Sequence, residues 1–424
     1  MNRKKAPASM PFTPVIPGRP ETRFIKNNIP LFVFPDKTTD IFYLGIFTGA
    51  GQKYYNIPLI PSLTCQMLSE GTASFSATAL SEAIDYYGCH FMPEAGRDRS
   101  SLQMFAPVRH AVPLTDLMFE MYSSPTFPKN RLQLLLKQRL NQYYIERRKV
   151  KHIASEAFFR NMFGDKHPYG ISPAVNDFKG ITSDHLAEFH KRFYRPQNSY
   201  FIMAGNVDEK NIEMVSRLFG HITDSSEMVS FEKFVTKESS DKKVFIPVEN
   251  AVQSAIRIGF PTINKRHKDY PLFQLVCFIL GGYFGSRLQR NIREEKGYTY
   301  GVSSILASLT ESGYFAVVTE AGAEVCNATI SEIYKEIDEL KKIPVGDKEL
   351  NTVKNYLSGE FIRMFDGFTQ NSESWRAVYD FGMDFSYFKK YYTEMMKATP
   401  KQLLDIANRY FVNENFHEIV AGQR

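Results

Sequence analysis

Cysteine is scarce in this sequence, four in 424 residues, at positions 65, 89, 277 and 326, with no CxxC pair among them. That scatter excludes a zinc knuckle and a disulfide framework, and reads as free thiols of a reducing compartment. Long apolar runs are missing too: no window approaches the roughly 18 residues a membrane-spanning helix needs. Charge of one sign is nowhere concentrated. Fifty-two Lys and Arg stand against 46 Asp and Glu, a net charge of +6, and their interspersion argues against a nucleic-acid partner. The opening MNRKKAPASMPFTPVIPGRP is basic and broken by prolines, without an apolar stretch of signal-peptide length. Residues 1–20 are expected to form an irregular arm, and the protein to be cytoplasmic and free of membrane contact. What is abundant is core material, 43% hydrophobic and 14% aromatic residues, enough for two or three packed domains.

The chain repeats itself. TSDHLAEFHKRFYRPQNSYFIMAG at 182–205 aligns without a gap to TPKQLLDIANRYFVNENFHEIVAG at 399–422. Arg192 meets Arg409, an offset of 409 − 192 = 217, about half the chain. Each copy reads as a capped helix, a basic-aromatic turn and a strand ending in Ala-Gly. Pro128 and Pro344 each precede a long helical pattern at nearly the same offset, so a duplication is predicted. Strand-like runs (IPLFVF, IFYLGIF and SLQMFAPV in the first half; AIRIGF, YTYGVSSIL and YFAVVTE in the second) sit beside one another with helices between groups. That order predicts an α+β fold of two similar domains, each a mainly antiparallel sheet packed with helices. The polar TDSSEMVSFEKFVTKESSDKK places a linker at 223–243, between a first domain over 21–222 and a second over 244–424.

Met-Leu-x-x-Gly-Thr at 67–72, HPYG at 167–170, LGGYFGSRL at 280–288 and IREEKGYTYGVSS at 292–304 together resemble the pitrilysin/insulinase family of zinc peptidases. The two-domain, processing-peptidase-like branch is the nearest, over about Glu21 to Arg424. That family carries an inverted HxxEH on a helix, where two histidines four apart grip zinc and the glutamate takes a proton from bound water. In register with Met67 and Thr72, those positions hold Ser62, Cys65 and Gln66. A later glutamate, the third ligand, is expected near Gln142 or Tyr143, and residues 129–145 contain no carboxylate. The resemblance therefore implies that this chain has no metal, no cofactor and no catalytic residue of its own.

Three look-alikes have plainer readings. HLAEFH at 185–190 spaces its histidines five apart, one too many to share a helix face. Cys65 as a nucleophile lacks a neighbouring base. The glycines of LGGYFGSRL are followed by no GKS or GKT, and suit close packing better than a phosphate. Arg293 and Tyr300 differ. In the family, an Arg and a Tyr at this spacing reach from the second half toward the zinc and hold the scissile carbonyl region, which suits a guanidinium and a phenol. The resemblance implies a peptide substrate and an HxxEH-containing relative as heterodimer partner, with zinc only in that partner. It equally leaves room for a dead scaffold or peptide-binding homodimer of the same fold.

Overall fold

The structure, a computed structural model, describes residues 16–26, 28–55, 57–222 and 235–424. The first half runs β1 (Glu21–Ile25), β2 (Ile29–Pro35), β3 (Ile41–Thr48), α1 (Ile60–Met67), α2 (Ala77–Tyr86), β4 (His90–Ala95) and β5 (Ser100–Pro107). It continues through α3 (Ala111–Ser123), α4 (Lys129–Glu146), α5 (Val150–Phe163), α6 (Ser183–Phe193), β6 (Ser199–Gly205) and α7 (Glu209–Gly220). The second half runs β7 (Lys243–Pro247), β8 (Gln253–Thr262), α8 (Tyr270–Cys277), β9 (Thr299–Ser308), β10 (Gly313–Gly322) and α9 (Cys326–Lys342). It closes with α10 (Asp347–Arg363), α11 (Gly367–Tyr379), α12 (Ser386–Lys397), α13 (Pro400–Tyr410) and β11 (His417–Gly422). The expected linker falls largely on 223–234, outside the described residues. Its last residue, Lys243, already belongs to β7 and pairs with Glu418. Residues 1–15 of the expected N-terminal arm also lie outside the described residues.

The strands form two sheets, ordered β1-β2-β6-β3-β5-β4 and β7-β11-β8-β10-β9. Apart from the extra β1 the orders correspond, and each sheet has one parallel pair, β2 with β6 and β7 with β11, among antiparallel neighbours. The fold is the expected α+β pair. Its repeated helices α6 and α13 begin at Thr182 and Thr399, whose hydroxyls accept from the backbone N–H three residues on. His185 and Gln402 return the bond to the threonine N–H at 3.2 and 3.0 Å, so both starts are capping boxes. The repeated Ala-Gly has a backbone reason. Gly205 and Gly422 have φ of +82° and +144°, and an added Cβ would lie 2.2 Å from Ile41 O and 2.4 Å from Ser254 Oγ respectively.

One face of each sheet packs on its own helices: α1, α3, α6 and α7 on the first sheet, α8, α9, α10 and α13 on the second. The opposite faces are exchanged. Phe158, Met162 and Phe163 of α5 pack with Ala316 and Ile419 of the second sheet, and Ala154 lies with Ala255 and Ala421. Reciprocally, Trp375 and Val378 of α11 pack with Phe32, Phe34, Tyr200 and Ile202 of the first sheet. These two helices are repeat equivalents, since 367 − 150 = 217. Phe32 and Trp375 rings stand 4.9 Å apart, a contact worth about 1 kcal/mol beyond its buried area.

HPYG builds a junction between the halves. Tyr169, buried, donates through its hydroxyl to Asp98 Oδ1 at 2.6 Å. Thr310 of the second half donates to the same carboxylate from its hydroxyl at 2.7 Å and its N–H at 3.0 Å. Lys53 Nζ lies 3.4 Å away. Burial alone would raise the Asp98 carboxyl, but these donors and the Lys53 charge hold it below the ordinary range. Beside it Arg99 pairs with Asp380 at 2.6 Å, and Tyr200 donates to that aspartate at 2.9 Å.

His190 of α6 gives a pH prediction. Its ring is held 2.8 Å from Tyr122 O, and burial pulls its pKa down to about 4 from the ordinary 6.5. The unfolded chain takes up a proton below about pH 6.5 that the native site refuses, so this stability is full above that value and shrinks as pH falls. Between about pH 7.5 and about pH 5 the wild type should lose about 2 kcal/mol that His190→Gln does not. Urea melts of both proteins at the two pH values check this; parallel losses would reject it.

Candidate functional site

Helix α1 starts with Pro61 in its first turn and turns Ile60, Leu63, Thr64, Cys65 and Met67 into the core. Ser62 and Gln66, four apart, are left on the outward face. The residue that meets them is Arg139 of α4. Its Nη1 donates to Ser62 Oγ at 2.7 Å, and its Nη2 and Nε donate to Gln66 Oε1 at 2.6 and 3.2 Å. A guanidinium therefore bridges the two positions where the resemblance implies histidines. Gln142, expected at the third-ligand position, lies on the exposed side of α4 and donates to Glu146 at 2.7 Å. Tyr143 is buried, its ring 5.3 Å from Phe178. Arg139 lies one helical turn before Tyr143, on the same side of α4. Sequence reasoning noticed that residues 129–145 lack carboxylates but had no means of choosing which of the cations there points inward.

Cys65 is fully buried, its Sγ 3.6 Å from Ser101 O, and burial pushes its thiol up to about 12. It is a neutral core residue at physiological pH, unfit as nucleophile or ligand. Burial also pulls Arg139 below the ordinary guanidinium range, yet it stays a cation at neutral pH. A hydroxyl, a neutral thiol, an amide and a cation do not fit zinc. Among the described residues no group of three His, Cys, Asp or Glu is placed to hold a metal ion.

This geometry sharpens the outcome of a repair experiment. Ser62→His, Cys65→Glu and Gln66→His together should retain no stoichiometric zinc after dialysis, because Arg139 keeps its charge at the site and no third carboxylate is present. Adding Arg139→Glu should bring retention toward one equivalent, measured by elemental analysis. One equivalent in the triple variant alone would refute the account.

In the second half, α8 passes into a π-helical turn, Phe278–Gly282, so close to β9 that a Cβ on Gly281 would lie 2.7 Å from Ser304 N. The glycine run is thus a packing device. A second π-helical segment, Gln289–Glu295, ends at Gly297 with φ +66°. Such segments recur at functional positions. Arg293 sits on it with its guanidinium 4.6 Å over the ring of Phe284, itself exposed. Tyr300, on the edge strand β9, is 91% exposed beside a depression of about 370 Å³ lined by Arg257, Thr319 and Glu320. No hydrogen bond joins Arg293 to Tyr300 among the described residues. His185 and His190 are separated in role, one a cap and the other a core donor or acceptor. Among the described residues no helix is long and apolar enough to cross a membrane.

Comparison with known proteins follows the same lines. A family model described as the peptidase M16 inactive domain matches residues 180–357. The chain is 22% identical to the uncharacterized zinc protease YmxG of Bacillus subtilis over 80% of its own length and 82% of that protein. The crystal structure of a peptidase M16 inactive domain from Pseudomonas fluorescens superposes with a TM-score of 0.86 at 22% identity, covering 96% of this chain and 98% of that one. A protease from Helicobacter pylori superposes with a TM-score of 0.86 at 16% identity, covering 95% and 98%.

Proposed function

We propose that this chain is a member of the pitrilysin/insulinase (M16) peptidase family without the ligands of its zinc site, and that it is the substrate-positioning member of a two-chain zinc endopeptidase acting on peptides. The observation that carries the reading is an asymmetry between the two ends of the molecule. At the metal position the ligands are gone and Arg139 fills the gap. At the other end Tyr300 is almost wholly exposed and Arg293 is stacked on an exposed ring, with no ion pair among the described residues, which supports reading them as the family's Arg-Tyr pair. A residue kept only for packing would be buried; a phenol left in solvent is available to a peptide. The catalytic water and its zinc would come from an HxxEH-bearing relative facing this chain.

The test is reconstitution. This protein alone should hydrolyse no peptide with or without added zinc, and the HxxEH relative from the same cell should be nearly inert alone. Their mixture should be active and elute as one complex. If the relative is as active alone as in the mixture, or no complex forms, the positioning role fails and the scaffold function stands in its place.

A further inference from the structure

We propose that Arg139, wedged between Ser62 and Gln66, is a binding site for the carboxylate of a peptide, so that the vacated metal position has become an anion site rather than an inert plug. The case begins with charge. Arg139 is largely desolvated, and its four hydrogen-bond contacts go to neutral acceptors: Ser62 Oγ, Ser62 O at 3.4 Å, and Gln66 Oε1 from two nitrogens. No carboxylate pairs with it among the described residues. Eight residues earlier on the same helix, Arg131 meets Glu70 of the segment after α1 at 2.5 Å, which shows how this interface compensates a cation when it does so itself. At Arg139 the compensating charge is missing among the described residues, and a half-buried cation without a counter-ion gains by finding one.

Geometry leaves room for one. A guanidinium has five N–H groups in a fixed fork. Gln66 takes the Nε–Nη2 edge and Ser62 the Nη1–Nη2 edge, its carbonyl weakly at 3.4 Å, and the second N–H on Nη1 has no acceptor among the described residues. Ser62, Gln66 and Arg139 are all partly exposed, so the remaining Nη1 N–H offers a carboxylate one hydrogen bond beside the cation's charge. The surrounding field points the same way. Over 129–145 the helix carries Lys129, Arg131, Lys137 and Arg139 and no acid, and α1 has neither an acidic nor a basic residue. An approaching carboxylate meets this basic stretch, where the nearby Glu70 is already paired with Arg131. Ser62 and Gln66 hold the guanidinium in place beforehand, so little side-chain freedom is lost on binding. The ligand is thus an acidic peptide, held through a side-chain or a C-terminal carboxylate.

The inference does not depend on the two-chain reading, because the binding is measured on this chain alone. Three alanine-glycine octapeptides serve as probes: one with a single central Glu and an amidated end, one with Gln there and an amidated end, and one with Gln and a free C-terminus. Isothermal titration at low salt is expected to show either carboxylate peptide binding about tenfold tighter than the neutral one. Which of the two gains identifies the carboxylate that is read. The gain should fall below about twofold in Arg139→Gln, persist in the exposed neighbour Lys137→Gln, and be partly retained in Arg139→Lys, which keeps the charge and loses the fork. Thermal melts establish that each variant is folded, and if Arg139→Gln is not, the comparison rests on Arg139→Lys. Equal binding of all three peptides, a gain undiminished in Arg139→Lys and Arg139→Gln, or a gain lost equally in Lys137→Gln overturns the proposal.

Discussion

In the reconstituted two-chain enzyme, Arg293→Ala or Tyr300→Phe is expected to lower kcat/KM about a hundredfold while leaving complex formation unchanged. The magnitude is that of one donor lost from a carbonyl oxygen acquiring charge, about 3 kcal/mol. The structure explains why assembly should survive. Tyr300 is 91% exposed and its hydroxyl makes no hydrogen bond among the described residues, so removing it disturbs no packing. Arg293 contacts the exposed Phe284 ring, and its loss costs at most a surface cation–π contact. The two variants should differ in one respect: Arg293→Ala frees Phe284 and should also raise KM, whereas Tyr300→Phe should act on kcat. Activity within twofold of wild type for both variants, at unchanged elution volume, would remove the pair from the mechanism.

Asp98→Ala is expected to cost about 3 kcal/mol of stability, seen as a lower denaturant midpoint with one transition retained. Four donors converge on that carboxylate from both halves: the Tyr169 hydroxyl, the Thr310 hydroxyl and N–H, and Lys53. Its removal leaves Lys53, whose side chain is only 12% exposed, with Glu311 at 3.6 Å as its remaining acid partner. The Tyr169 hydroxyl keeps only a 3.5 Å approach to Thr310. Asp98→Asn should cost less, since the amide oxygen still accepts while the charge is lost. A midpoint unchanged in Asp98→Ala would show that the junction is held elsewhere, at Arg99 and Asp380.

Much of this architecture was legible in the sequence because repetition amplifies weak signals. Thr182 and Thr399 as caps, and Gly205 and Gly422 as strand ends, each gained weight from the other copy; both threonines close capping boxes, and both glycines have positive φ in the structure. Met67 and Thr72 set the register that pointed to Ser62 and Gln66, and the structure places those two side chains together on one guanidinium. Three things were not legible. The short edge strand β1 carries no alternating pattern, being exposed over four of its five residues. The inward turn of α4 depends on which face meets α1, and Leu132 and Leu135 alone left several rotations open, so Arg139 was invisible beside Gln142. The crossing of α5 and α11 is a matter of tertiary partnership, and apolar periodicity says that a helix has a buried face, not whose sheet it covers.

That crossing has a consequence for how such a molecule came to be. A single copy of the repeat, standing alone, would present a bare sheet face on one side and an apolar helix reaching for a sheet it does not own on the other. Two copies satisfy each other by trading helices, as α5 and α11 do here. The repeat is therefore a dimer whose subunits have been tied into one polypeptide, and symmetry between equals became free to lapse once both were inherited together. Each copy became free to change its own exposed residues, because a position altered in one half of a single chain need not be altered in the other.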